Sequence, residues 1–439
     1  MQTKVVKFGG SSLADAQHFR QVADIIHADP TRRFVVPSAP GKRHKSDDKV
    51  TDMLYHYYEL ARNRDSEADK YYARIEERYN GIIRELGMDF DISGELFYVK
   101  NAIAHMSGRD YAASRGEYLN GIVLAKYLGF DFIDAENVIF FRDNGTFDEE
   151  KTNTILGEEL RRHEHAVIPG FYGCMPNGTI KTFSRGGSDI TGAIVARAVE
   201  ADLYENWTDV SGFLMGDPRV LDNPPPIEII TYQELRELSY MGATVLHDES
   251  IFPVRYAGIP INIRNTNAPA DPGTMIVSSA DGYDPKRIIT GIAGKKGFSV
   301  INIEKDRMNA EIGFGRRVLE ILEDNDISFE HLPSGIDTMS IVVASSALEG
   351  RRERILHSIN RQVRADHVEI LDGLCLIAVV GRGMVKAPGT AASIFDAIYE
   401  AGINIRMIDQ GSSELNIIIG VNDEDYETAL NAIFRKFVK

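Results

Sequence analysis

Three stretches carry residue types capable of chemistry, and the first two, rich in glycine, suit anions. In Lys4-Val5-Val6-Lys7-Phe8-Gly9-Gly10-Ser11-Ser12, an apolar strand runs into paired glycines and then into a helical pattern with apolar positions Leu13, Ala16, Phe19, Ala23 and Ile26. Glycines let a backbone approach a phosphate closely, helix N-terminal N–H groups point at it, and Lys7 adds a full positive charge. Taken alone, the same turn also reads as a tight strand–helix connection. The spacing matches neither GxxxxGK followed by Ser or Thr nor GxGxxG followed by an acidic residue, so a P-loop and a Rossmann turn are both excluded. The second stretch is Phe183-Ser184-Arg185-Gly186-Gly187-Ser188-Asp189-Ile190-Thr191, ahead of a helix containing Ala193, Ile194, Ala196, Ala198 and Val199. The rigid guanidinium of Arg185 suits bidentate recognition of a carboxylate or phosphate, whereas Asp189 reads equally as a helix cap or as a chemical group. In the third, Trp207-Thr208-Asp209-Val210-Ser211-Gly212 ends an apolar strand in small polar residues and Asp217-Pro218-Arg219 follows, a pattern that alone reads as a turn.

These stretches need a scaffold. From Lys4 to about Ser278, apolar runs such as Val5 to Phe8, Phe34 to Val36, Ala166 to Ile168 and Ile261 to Ile263 alternate with helical patterns, which predicts a layered α/β domain over residues 1–283. Helical spacing of Leu54, Tyr58, Ala61, Tyr72, Ile75, Tyr79, Ile82 and Ile83 in a charge-dense segment predicts two helices there, read as a surface insertion over about 53–88 with a solvated charged face. The turn-rich run Ala280-Asp281-Gly282-Tyr283-Asp284-Pro285-Lys286 marks a break. Beyond it, an offset of 76 residues pairs Val318 with Ile394, Leu319 with Phe395, Leu322 with Ile398, Ile327 with Ile403 and Ile341 with Ile417. An ungapped match of that length signals duplication. Each copy reads strand, helix, strand, strand, helix, in the first as Phe298 to Ile303, Arg317 to Glu323, Ile327 to Leu332, Met339 to Ala344 and Glu349 to Ile359. Two ferredoxin-like βαββαβ units, 288–372 and 373–439, are expected.

Composition sets the outer bounds. A chain of 439 residues, 43% apolar and 26% charged, is expected to form two or three globular domains. A formal charge of -16 repels nucleic acid and anionic membrane surfaces, so neither is expected as a partner, and an anionic substrate must meet locally placed cations. There is no apolar run of membrane-spanning length, and Met1-Gln2-Thr3-Lys4-Val5-Val6-Lys7 lacks the apolar core of a signal peptide, so a cytoplasmic location is expected. Cys174 and Cys375 lie far apart with no CxxC or Cys/His cluster, which suggests neither a disulfide framework nor a metal site.

In order along the chain, Lys7-Phe8-Gly9-Gly10-Ser11-Ser12, Ser114-Arg115-Gly116-Glu117, Ile168-Pro169-Gly170-Phe171-Tyr172-Gly173, Arg185-Gly186-Gly187-Ser188-Asp189, Thr208-Asp209-Val210 and Asp217-Pro218-Arg219 resemble the motifs of the aspartate kinase family. The resemblance extends to Ile263-Arg264-Asn265-Thr266, to Pro272-Gly273-Thr274 and to the paired C-terminal units, which look like ACT domains. It implies an amino-acid-kinase fold, a three-layer α/β/α open sheet, and Mg²⁺-dependent transfer of the γ-phosphoryl group of ATP to the side-chain carboxylate of L-aspartate. That reaction opens the biosynthesis of lysine, threonine and methionine. By the same resemblance, Lys7, Phe8, Gly9, Gly10 and Ser11 lie at the ATP phosphates, Glu117 meets the amino group of aspartate and Arg185 its α-carboxylate. Ser188 lines the substrate site, Asp189 organises the cations, Thr208, Asp209 and Arg219 hold the nucleotide, and Ser38 and Thr51 make further substrate contacts. An aspartate side chain, with an ordinary pKa of about 3.9, is an anion at neutral pH and needs no general base, so the scarcity of His near the motifs fits this chemistry.

One departure stands out. In Gly242-Ala243-Thr244-Val245-Leu246-His247-Asp248 the family has Lys where Thr244 stands and Pro where Asp248 stands. A subgroup using another cation, with Arg219 the candidate, is the favoured account. The alternatives are a catalytically impaired amino-acid-binding regulatory relative and a kinase for another amino-acid carboxylate. The ACT resemblance further implies feedback control by lysine or threonine, with Met308, Glu311, Ser328, Phe329 and Glu330 at the effector positions, and a homo-oligomer, dimer or tetramer, joined through the ACT units.

Overall fold

The structure is a computed structural model that describes residues 2–438 apart from Met106, Arg185, 243–250 and 281–286. The chain divides into two compact units, Met1–Phe213 with Pro226–Tyr232 and Val245–Asp281, and Leu214–Pro225 with Gln233–Thr244 and Gly282–Lys439. Two segments N-terminal to residue 283 therefore group with the second unit.

In chain order the first unit contains strands β1 (Lys4–Phe8), β2 (Arg32–Pro37), β3 (Asp131–Phe132), β4 (Ala166–Val167), β5 (Tyr172–Cys174), β6 (Ile180–Thr182), β7 (Leu203–Thr208), β8 (Ile229–Thr231), β9 (Ile261–Asn265) and β10 (Thr274–Val277). Its helices are α1 (Ala16–His27), α2 (Val50–Arg62), α3 (Ala68–Leu86), α4 (Ser93–Ala104), α5 (Arg109–Leu128), α6 (Glu149–Leu160), α7 (Gly187–Ala198) and α9 (Phe252–Ala257), while α8 (Tyr232–Tyr240) belongs from Gln233 onward to the second unit. Among the described residues one eight-stranded sheet has the order β3-β4-β2-β1-β7-β9-β10-β8, parallel from β3 to β9. Val5, Val6, Phe8, Val35 and Val36 are fully buried, because a parallel sheet is covered on both faces and its strands must be apolar throughout. Residues of α1 to α5 pack with Val6, Phe8, Val35, Val167 and Trp207 on one face. On the other face α7 is tied to β7 by the Tyr204 hydroxyl, which donates to Asp189 O at 3.0 Å. This is the expected α/β/α layering. The chain leaves β1 for β2 and β4 on one side, then returns to β7 and β9 on the other. Such a reversal opens a crevice at the carboxyl ends of β1 and β7, where open parallel sheets bind ligands.

Two local expectations are corrected. The helix after the paired glycines begins only at Ala16, with the Asp15 side chain accepting from His18 N as its cap, and Gly10–Leu13 forms a single 3-10 turn instead. A good capping residue nucleates the helix where it stands, so the N–H groups near Gly10 belong to a turn rather than to α1. The insertion has its two expected helices but is no surface appendage: α2 and α3 bury Leu54, Tyr57, Tyr72 and Tyr79 to 2% exposure or less. Tyrosine serves there because its ring fills the core while its hydroxyl finds a carbonyl: Tyr72 donates to Leu96 O and Tyr79 to Gly116 O, both at 2.8 Å.

The second unit adds β11 (Gly291–Glu304), α10 (Phe314–Glu323), β12 (Thr338–Ala344), α11 (Arg352–Val363), β13 (His367–Val380), α12 (Thr390–Glu400), β14 (Met407–Asp409), β15 (Asn416–Asn422) and α13 (Tyr426–Phe437). Its antiparallel sheet has the order β12-β11-β13-β15-β14. β11 and β13 are 14 residues long and serve both ferredoxin-like units. Phe298 to Glu304 pairs with β12 and with the first half of β13, whereas Gly291 to Lys295 pairs with Val380 to Leu376. The second ferredoxin-like unit ends in α13, and the first half of β11 supplies its missing strand, a sharing that a linear division at residue 372 leaves out. Ile327 to Leu332, expected as a strand, makes only bridge-like contacts, such as Glu330 N to Val342 O at 2.8 Å.

Candidate active site

Lys7 stands opposite Asn206 in the β1–β7 register, so both side chains emerge on the face covered by α7. The Lys7 ammonium lies 2.6 Å from Asp189 Oδ1 and donates to Asn206 Oδ1 at 3.4 Å, and Asn206 Nδ2 donates to Asp189 Oδ1 at 2.8 Å. Lys7 and Asn206 are buried at 7% and 3% exposure, where an unpaired charge would be costly. Asp189 is in the first turn of α7 but does not cap it, since the cap position is Gly186 at φ 58° with no side-chain bond. The capping reading of Asp189 is therefore not met, and its carboxylate is turned to Lys7 instead. The start of α7 is held through Thr191, whose hydroxyl accepts from Phe171 N at 3.0 Å and donates to Gly187 O at 2.9 Å.

The glycine turn beside this cluster is fastened on both sides. Gly9 N donates to Trp207 O at 3.0 Å, and the Ser12 and Thr266 hydroxyls are 2.7 Å apart. A Cβ on Gly10 would lie 2.9 Å from Ala39 O, so the β2–α2 loop fits only against glycine. Ser11 is exposed. Ser38, half-buried, donates its N–H to Phe8 O at 3.0 Å, and its carbonyl accepts from Asn120 at 2.6 Å. Thr51 is half-buried in the first turn of α2, and Ser188 is buried behind Gly170. Glu117 lies on α5 with its carboxylate bonded to the Ala39 N–H, and Oε2 has no hydrogen-bond partner among the described residues. Burial pushes its carboxyl up to about 8 from the usual 4.5, against the smaller opposing effect of that bond.

Thr208 is half-buried at the end of β7, and its hydroxyl donates to the exposed Asp209 at 3.2 Å. Arg219 belongs to the second unit, where its side chain is exposed and paired with Asp217 at 2.6 Å. Arg185, Thr244 and Asp248 lie outside the described residues. In the second unit Met308 is buried in the apolar core around α10, and Glu311 pairs with Lys305 at 3.0 Å and with Arg317. Ser328 and Phe329 are exposed, and Glu330 accepts a hydrogen bond from Tyr240. The structure thus brings Lys7 and Asp189 into contact and sets Gly9, Gly10, Ser38 and Glu117 around one loop. Asn206 escapes a reading of the sequence alone. Its signal is the polar pair Glu205-Asn206 inside an otherwise apolar central strand.

The Amino acid kinase family model matches residues 2–265 and an ACT domain model matches residues 377–437. Aspartokinase 3 of Bacillus subtilis (strain 168) is 40% identical over 450 residues, covering 99% of this chain and 98% of the relative. Among solved structures, the aspartate kinase of Clostridium acetobutylicum is 51% identical with a TM-score of 0.91 over 100% of both chains. E. coli aspartokinase III, solved with aspartate and ADP, is similar in fold, at 24% identity and a TM-score of 0.74 over 100% of both chains. With a relative this similar from end to end and a family model spanning more than half its length, the chain belongs to the aspartokinases of the amino acid kinase family.

Proposed function

We propose that this aspartokinase joins the γ-phosphoryl group of ATP to the side-chain carboxylate of L-aspartate, giving 4-phospho-L-aspartate and ADP, and that its ACT units bind an amino-acid effector. The observation that carries the reading is the buried Lys7–Asn206–Asp189 cluster beside the Gly9-Gly10 turn, at the sheet's reversal point. A carboxylate oxygen attacks Pγ, the bond from Pγ to the β–γ bridging oxygen breaks, and ADP leaves with the electron pair. Both reactants are anions, so catalysis consists of in-line positioning and charge neutralisation. Lys7 meets the phosphates with its ammonium fixed by Asp189 and Asn206, and backbone N–H groups of Gly9, Gly10 and Ser11 add directional donors. Asp189 orients that cation rather than abstracting a proton. Mg²⁺ carried on the nucleotide would neutralise phosphate charge.

Glu117 takes the ammonium of aspartate, whose positive charge favours the ionised form of that buried carboxyl, and Arg185 takes the α-carboxylate, with Ser38, Thr51 and Ser188 completing that subsite. Phe8, Thr208 and Asp209 serve the nucleotide. Met308, Glu311, Ser328, Phe329 and Glu330 are assigned to the effector, lysine or threonine, and the ACT units to a homo-oligomer. Hydroxylamine trapping of the acyl phosphate with L-aspartate and L-glutamate tests the reaction. Product from aspartate is expected, product from glutamate alone would reassign the acceptor, and none from either would leave a binding protein.

A further inference from the structure

The guanidinium of Arg78 takes no part in the chemistry above, yet it ends on the loop around which the candidate site is built. Arg78 lies within α3, 6% exposed. Its Nη1 donates to Gly41 O at 3.0 Å, and its Nη2 to Asp47 Oδ2 at 2.7 Å and to Asp48 O at 3.2 Å. Asp47 accepts in addition from Arg43 N, Nε and Nη2 at 3.0, 2.8 and 3.0 Å, and Arg43 beside it holds the Asp47 carboxyl well below the usual range. Residues 38–49 contain no helix or strand, so their shape rests on bonds of this kind.

The opposite side of the loop touches both candidate subsites. Gly41 N donates to Gly10 O at 2.8 Å, and a Cβ on Gly41 would sit 2.6 Å from Gly10 C. The Ala39 N–H meets the Glu117 carboxylate, and Ser38 and Thr51 flank the loop. A planar guanidinium presents five donors in a fixed fork and satisfies a carboxylate and two carbonyls together, whereas an ammonium is a point charge on a flexible stem.

We infer that Arg78 is a positioning residue for phosphoryl transfer: through Gly41, Asp47 and Asp48 it clamps the 38–49 loop against the glycine turn and so sets the aspartate subsite. The helical insertion is then the buttress of that subsite. The inference rests on the aspartate kinase reading.

The test uses Arg78→Lys in the full chain, compared with the unsubstituted enzyme by steady-state kinetics and by hydrogen exchange without substrates. KM for aspartate is expected to rise about tenfold or more while KM for ATP stays within about twofold, because Gly9 is fastened separately to β7. Exchange protection should fall at 41–49 and persist in β1, β2 and β7. Unchanged aspartate KM in a folded variant, or unchanged protection of the loop, overturns the inference. Should Arg78→Lys not fold, Asp47→Asn releases the loop from its own side and is read by the same two criteria. An unsubstituted enzyme inactive on aspartate would fail the functional reading instead, and the exchange result would then still decide whether Arg78 holds the loop.

Discussion

At the scale of single residues, the candidate site centres on a cation, Lys7, held largely out of water by its partners. Lys7 is held by one carboxylate and one amide, so removing it leaves Asp189 still bonded to Asn206 and the sheet unaltered. Lys7→Ala is expected to lower kcat/KM by about 100-fold or more, the loss typical of removing one preorganised electrostatic donor, with the far-UV circular dichroism unchanged. Unchanged turnover would take Lys7 out of the mechanism. Glu117 leads to a pH prediction. Its carboxyl keeps a proton up to about 8 in the folded chain, but an unfolded chain releases it near 4.5, so the native state binds more protons in between. This contribution to stability is complete below 4.5 and is lost as pH rises through about 8. Thermal melts from pH 4.5 to 8.5 should show a decline that Glu117→Gln flattens; equal slopes would show that the carboxyl is ionised in the folded protein.

Elements decide how those residues meet. Gly10 works by the absence of a side chain: a Cβ there would meet Ala39 O at 2.9 Å, and it is backbone, not a flexible side chain, that would have to move. Gly10→Ala should therefore cost roughly the 1–3 kcal/mol of an overpacked site and lower kcat/KM more than its melting temperature suggests. Equal activity per folded molecule would show that the turn adapts. The insertion's tyrosines supply core that the segment's charge density hides. Tyr72→Ala is expected to destabilise by about 3–5 kcal/mol in denaturant titration, as for other fully buried aromatic residues. A loss under about 0.5 kcal/mol, typical of a surface position, would restore the reading of a peripheral insertion.

For the whole molecule, the consequence lies in the shared strands of the second unit. A piece spanning 287–439 keeps the half of β11 that pairs with Val380 to Leu376, and a piece beginning at 298 loses it. The longer piece is expected to give dispersed amide resonances and a cooperative melt, and the shorter one to aggregate through the exposed edge of β13. Equal behaviour of the two would show that the second ferredoxin-like unit closes without β11.

Period and composition alone identified strands around Val6, Val35 and Ile263, helical spacing at Tyr72 and Tyr79, and the 76-residue duplication, because side chains buried against a common core must recur with the geometry of their element. The ordered motifs also singled out Lys7 and Asp189, which the structure brings into contact and which sit at a turn and a helix start. What the sequence could not decide is pairing between distant segments. Asn206 meets Lys7 only through its register with it, β11 completes a unit that begins 82 residues after it, as the pairing of Gly291 with Val380 and the start of that unit at 373 require, and Arg78 reaches the 38–49 loop only once α3 is packed. Helical and strand periods record which face of an element is buried, but not the partner it is buried against, and that choice is made by the tertiary packing.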